Sequence, residues 1–217
     1  MRVGVASALD SVRASMTRGV VLALMAAAAT SAAFSQEHQH GAAPTAPAAG
    51  ANAPLFTQQD LLFLTHMIMH HEQALEMTAM VPSRSKREDF IRFARYLDGG
   101  QRTEIDHMKG LLRIAEERGI EIPHHEMTGD PPMAGMLSKA QMAALAAATG
   151  PEFEKLWLQG MIYHHQGALD MAREMQERQF ETGRQTFGID VLVDDITEVQ
   201  RAEINKMKMW LVQWGLQ

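Results

Sequence analysis

The sequence predicts an all-α domain: a four-helix bundle made of two repeated αα-hairpins, plus one short connecting helix. Three observations predict it. From about residue 55 onward, apolar residues recur at helical spacing and no stretch sustains strand alternation. Caps and breakers divide this region into four long segments and one short one. The two halves also carry the same motifs. Met67-Ile68-Met69-His70-His71 matches Met161-Ile162-Tyr163-His164-His165, and Ala74-Leu75-Glu76-Met77 matches Ala168-Leu169-Asp170-Met171. QRTEIDHMK from Gln101 matches QRAEINKMK from Gln200. A duplicated hairpin with pseudo-twofold symmetry accounts for this, and antiparallel hairpins of this kind pack as a bundle.

The elements follow in order. Residues 1–35 read as a cleaved secretory signal. Arg13 and Arg18 precede an apolar run at 20–29, small residues follow, and Ala33-Phe34-Ser35 fits a signal-peptidase site. The run is too short to span a bilayer, so no stable membrane insertion is expected after cleavage. Read from Met16, the signal takes a tidier form. Residues 36–54 are rich in Ala, Pro and Gly without periodicity and read as a flexible leader. The bundle domain is expected over 55–217, with repeat halves at about 57–119 and 151–215.

Thr57 with Asp60 predicts a capped helix start, and Pro82 predicts its end after Val81. Ser85 with Glu88 predicts the next start, and Gly119 its stop after Arg118. Gly99-Gly100 inside that helix marks either a soft point or a close helix contact. A proline-containing loop spans 120–137. Ser138 with Gln141 caps a short helix that Gly150 closes. Pro151 opens the next long helix, which runs to about Gln179. The last helix spans about Asp190 to Trp214.

Composition narrows the function. The net charge is −6, and removing residues 1–35 makes it more negative, which argues against a nucleic-acid partner. There is no Cys, so no disulfide assists the fold. Methionine is abundant: the chain has 17, of which only Met1, Met16 and Met25 fall in the signal.

Residues three and four apart share a helix face. Met67, His70, Ala74 and Met77 form one stripe. Met161, His164, Ala168, Met171 and Met175 form its counterpart. The second helices add Gln101, Glu104, Met108 and Leu111, and Gln200, Glu203, Met207 and Trp210. His71 and His165 lie on neighbouring stripes. A methionine stripe is ordinarily core, and one inward histidine is ordinarily a hydrogen-bonded core residue. Two inward histidine pairs, each flanked by methionine, are costly to bury without purpose.

Thioether plus imidazole is the soft donor set that suits Cu(I) and, by extension, Ag(I). The candidate donors are His70, His71, His164 and His165 with Met67, Met77, Met108, Met161, Met171, Met175 and Met207. Glu104 and Glu203 are candidates for orienting the rings. Auxiliary sites are conceivable at His124, His125 and Met127, in a loop that also holds Met133 and Met136, and at His38 and His40. If maturation follows Ser35, His38 becomes the third residue. Its ring, the terminal amine and two backbone amides then suit Cu(II). A zinc-protease motif fails, because His71-Glu72 is followed by Leu75 rather than His. A di-iron bundle needs two Glu-x-x-His motifs. Glu104 and His107 supply one, but Lys206 stands where the second histidine would be.

The signatures MIMHHEQALEM and MIYHHQGALDM, with QRTEIDHMK and QRAEINKMK, resemble the domain-of-unknown-function 305 family (DUF305) from about Leu55 to Trp214. The resemblance implies a ferritin-like helical bundle, usually exported. It also implies similarity to periplasmic copper-binding proteins of the CopM type, which bind Cu(I) and Ag(I). Lys206 opposite His107 departs from a symmetric pattern. The expected function is an exported copper-binding protein that buffers or carries Cu(I) and contributes to metal tolerance. The alternatives are a structural or stress-related interaction bundle that binds no metal, and a ferritin-like di-iron oxidoreductase.

Overall fold

The computed structural model describes residues 54–124, 128–130, 133–186 and 188–217. The expected signal, the leader up to residue 53 with His38 and His40, and His125 and Met127 lie outside the described residues. Within them the fold is all-α, without strands. The helices are α1 (Gln58–Arg84), α2 (Glu88–Glu117), α3 (Lys139–Ala147), α4 (Gly150–Thr182) and α5 (Ile189–Gln213). No helix among the described residues is long and apolar enough to cross a membrane.

The helix ends follow local chemistry. Thr57 accepts the Asp60 N–H, and the Asp60 carboxylate accepts the Thr57 N–H, which closes the expected capping box. Ser138 and Gln141 do the same for α3. Gly183 adopts a left-handed conformation (φ 61°) and caps α4, whose last residue, Thr182, lies three beyond the expected end at Gln179.

Three expectations fail locally. Pro82 does not end α1 but sits in its last turn, where its fixed φ is helical, and Ser85 N–H closes the turn on the Val81 carbonyl. Ser85 does not cap α2, whose N-cap is Arg87. The Ser85 hydroxyl donates instead to buried Glu154, 2.6 Å away. Gly150 does not close α3, because it is the first residue of α4, with φ 59°.

α1 packs along α2, α4 along α5, and α1 against α4 joins the two hairpins. The four long helices share two hydrophobic clusters. One gathers Leu64, Met67 and Ile68 with Met108, Ala168, Ala172, Met175 and Ile196. The other gathers Ala74, Met77 and Val81 with Leu97, Trp157, Met161, Ile204 and Met207. On every long helix, polar side chains stand inward between the two clusters: His70 and His71, Gln101 and Glu104, His164 and His165, Gln200 and Glu203. A polar layer therefore divides the core at mid-height.

Reciprocal clamps join the hairpins. Asp60 at the start of α1 accepts the hydroxyl of Thr186, which precedes α5, at 2.9 Å. Glu154 at the start of α4 accepts from Ser85 and from Arg87 Nε (2.8 Å), which precede α2. Each hairpin thus offers a buried carboxylate to the turn of the other.

Candidate metal centre

The polar layer is made by helix register. On α1 and α4, an adjacent histidine pair places one ring on the α1–α4 seam and the other beneath the neighbouring helix of its own hairpin. All four histidines are buried, at 0–1% exposure. On the seam, the rings of His70 and His164 lie with centroids 3.8 Å apart and planes tilted by 39°. His164 Nε2–H donates to the His70 carbonyl at 2.9 Å. Within the hairpins, His71 Nε2–H donates to Glu104 Oε2 at 2.6 Å. His165 Nε2–H donates to Glu203 Oε2 at 2.8 Å.

These bonds set the tautomers. A neutral imidazole that donates through Nε2 carries its lone pair on Nδ1. In His71, His164 and His165 that Nδ1 is buried and has no protein partner, and neither ring nitrogen of His70 has one. Each unpartnered buried polar atom costs about 1–3 kcal/mol. Leucine in these places would avoid the cost.

Burial pushes the His70 ring down to about 3, helped by repulsion from His71 and His165 and opposed by the backbone of Ala134. The Ala134 backbone makes no hydrogen bond of good geometry with that ring. His164 is likewise held well below the ordinary histidine range, by desolvation first and then by His70, His165 and His71. Both rings are therefore neutral near pH 7, with lone pairs that no proton occupies.

Thioethers flank the layer on both sides. Met67, Met108 and Met175 are buried in one cluster, with Met171 half-buried against it. Met77, Met161 and Met207 are buried in the other. The two amide oxygens Gln101 Oε1 and Gln200 Oε1 are also buried without partners. The sequence places these glutamines on the inward stripe but gives them no role; their signal was the duplicated Gln-x-x-Glu spacing. Among the described residues, no three His, Asp or Glu side chains group so as to hold a metal ion by themselves. His124 is exposed in the first half of the α2–α3 connection. Met136 of the same connection is buried, at 7% exposure, rather than part of a surface loop.

The layer has a closed side and an open side. Residues 133–138 cross the α1–α4 seam. Gly135 lies so close to Gly167 of α4 that a Cβ on Gly167 would stand 2.5 Å from Gly135 Cα. Gln73 of α1 grips the same segment through both Leu137 backbone groups, at 2.7 and 2.9 Å. On the far side, α2 and α5 line a groove of about 660 Å³ that includes Glu104 and Glu203. Gly99 and Gly100 open onto it, with no atom within 4 Å of where a Cβ would stand. They mark a gap rather than a close helix contact. Exposed His107 also lines the groove, whereas Lys206 is drawn away and lies over the Trp210 ring, 4.8 Å from its centroid.

Known proteins share this framework. A DUF305 protein from Streptomyces coelicolor is 28% identical, with a TM-score of 0.61 over 72% of this chain and 94% of that one. A DUF305 fragment from Deinococcus radiodurans is 28% identical, with a TM-score of 0.62 over 74% and 99% of the two chains. CopM in its Cu(I)-bound form is 28% identical, with a TM-score of 0.55 over 71% and 96%. CopM is also known in Cu(II)-bound and Ag-bound forms. No curated protein sequence matches. The family model for the domain of unknown function DUF305 matches residues 60–211, which span the whole polar layer, and the chain therefore belongs to the DUF305 family.

Proposed function

We propose that this protein is exported and binds copper, chiefly Cu(I) and also Ag(I), to buffer or carry it and so contribute to metal tolerance. One observation carries the reading. Three histidines have their protons held on Nε2, which leaves buried, unpartnered Nδ1 lone pairs between two banks of methionine sulfur. Soft thioethers and imidazoles fit a soft monovalent cation, and the thioethers and the His70 and His164 rings have no proton to lose near pH 7. CopM, 28% identical, in its Cu(I)- and Ag-bound forms supports the choice of ion.

His70, His71, His164 and His165 would supply nitrogen. Met67, Met108, Met171 and Met175 would supply sulfur from one side, and Met77, Met161 and Met207 from the other. Glu104 and Glu203 would hold the rings of His71 and His165 in the binding tautomer. The di-iron alternative is disfavoured, because His107 is exposed and no His/Asp/Glu group of the required kind forms among the described residues.

Cu(I) and Ag(I) should be retained against matched chelators, with Zn(II) held much more weakly. Equal retention of Zn(II) and Cu(I) in a competition titration would count against the proposal. An ion bound only by the folded state stabilises it by about 2.7 kcal/mol at a hundredfold excess over Kd. His164→Ala combined with Met171→Ala should therefore remove a large part of the Cu(I)-induced rise in Tm. An unchanged rise would put the ion elsewhere. A bundle that binds no metal would show no such rise in the parent protein.

A further inference from the structure

We propose that the groove between α2 and α5 is the entry route by which a soft monovalent cation reaches the histidine layer, with Glu104 and Glu203 as its first contacts. The cargo rests on the copper-binding reading above; the route itself concerns the metal-free protein as well.

The two carboxylates that hold His71 and His165 both line this one groove. Their side chains are 15% and 6% exposed, while the rings behind them are at 0%. Carboxylate is thus the boundary between solvent and imidazole. Each glutamate bonds its histidine through Oε2, and its second oxygen takes no part in that bond. The opposite approach, along the α1–α4 seam, is blocked by residues 133–138, where Met136 and Leu137 are buried and Gly135 lies against Gly167. The cleft on the α4–α5 face is lined by none of the histidines or glutamates of the layer.

Gly99 and Gly100 give the groove its depth. Each glycine in a helix interior costs about 1 kcal/mol relative to Ala. Close packing does not explain them, because nothing lies within 4 Å of either Cβ position. Bare backbone at these positions leaves the groove unfilled above the two carboxylates. The charge suits a cation: Glu104, Glu203 and Asp195 line the groove against one guanidinium, Arg95. A negative cleft raises the local concentration of positive ions. Oxygen at the entrance with nitrogen and sulfur inside gives a soft ion progressively better donors as it moves inward.

The test fills the groove without touching a proposed ligand. In Gly99→Leu with Gly100→Leu neither new Cβ meets an atom within 4 Å, and replacing two glycines inside a helix should raise its stability, so the variant should fold. Stopped-flow uptake of Ag(I) should slow by about tenfold or more, while equilibrium affinity stays within about twofold, because blocked access changes rates rather than end states. Deuterium exchange at the imidazole C2 of His71 and His165, read by mass spectrometry on metal-free protein, should slow as well. Gln73→Ala, which loosens the segment on the other side, should leave both rates unchanged. Unchanged uptake and exchange in the groove variant, or acceleration by Gln73→Ala, would overturn the route. Slowed exchange in a protein that takes up no Ag(I) would keep the groove as the access route and sink the copper reading instead.

Discussion

Metal-free protein should lose stability steeply as the pH falls below the ordinary histidine value of 6.5. The unfolded chain takes a proton on His70 near 6.5, but the folded ring does so only near 3. Between those values the unfolded state binds more protons, so stability rises with pH. The contribution is complete above 6.5 and is lost as the pH falls towards 3. Each ring costs about 1.4 kcal/mol per pH unit across its window. His164 acts in the same direction, since its ring is also held well below its ordinary value. Domains of ordinary stability have only about 5–15 kcal/mol in total, so the His70 ring alone should remove a large share of it by pH 3, with His164 adding to the loss. Protonation of carboxylates adds to the loss, and a difference measurement separates it. In urea unfolding between pH 6 and 4, His70→Gln should show a slope shallower than the parent by about 1.4 kcal/mol per pH unit. Equal slopes would mean that the folded His70 ring takes up protons as readily as an exposed one.

The helices and the inward histidines were legible because both are periodic. Met67, His70, Ala74 and Met77 announce a buried stripe by spacing alone, and the structure buries all four. The division of methionines between two clusters also follows from register, once the α1 and α4 copies run antiparallel. What spacing does not carry is the choice a side chain makes among distant partners. Ser85 looks like a helix cap in sequence. It fails as one because Glu154, 69 residues away, takes its hydroxyl. The pair Gly99-Gly100 reads in sequence as a soft point or a close helix contact, and only the path of α5 reveals an open groove instead. The pairing of His70 with His164 likewise depends on how the hairpins meet.

The two hairpins carry matching motifs but meet the connection between them differently, and the difference predicts a large effect. Gln73 follows the first histidine pair by two residues, and Gly167 follows the second by two. The connection between the halves occurs once, so it cannot meet α1 and α4 in the same way. Gln73 holds Leu137 by two hydrogen bonds, whereas Gly167 lets the Gly135 backbone lie directly on α4. In Gly167→Ala the new Cβ would stand 2.5 Å from Gly135 Cα and 2.6 Å from the Ala134 carbonyl oxygen. Both neighbours are backbone and cannot rotate away, so either α4 or the segment must move. The expected cost is about 2–4 kcal/mol, the range of overpacked cores and lost buried contacts. At about 2–4 °C per kcal/mol for a domain of this size, Tm should drop by roughly 5–15 °C. Gly160→Ala is the control. Its Cβ would meet the Leu137 Cδ2 at 3.1 Å, a side-chain end that can turn aside, and the change should stay within about 1 kcal/mol. The acid sensitivity and the Gly167 contact are also linked. A displaced segment lets water reach His70 and His164, which weakens the desolvation that lowers their proton affinity. Gly167→Ala should therefore be less stable at pH 7 yet show a shallower acid slope than the parent. A stability within about 0.5 kcal/mol of the parent, the usual range for substitutions away from packed sites, would mean that the segment does not bear on the layer.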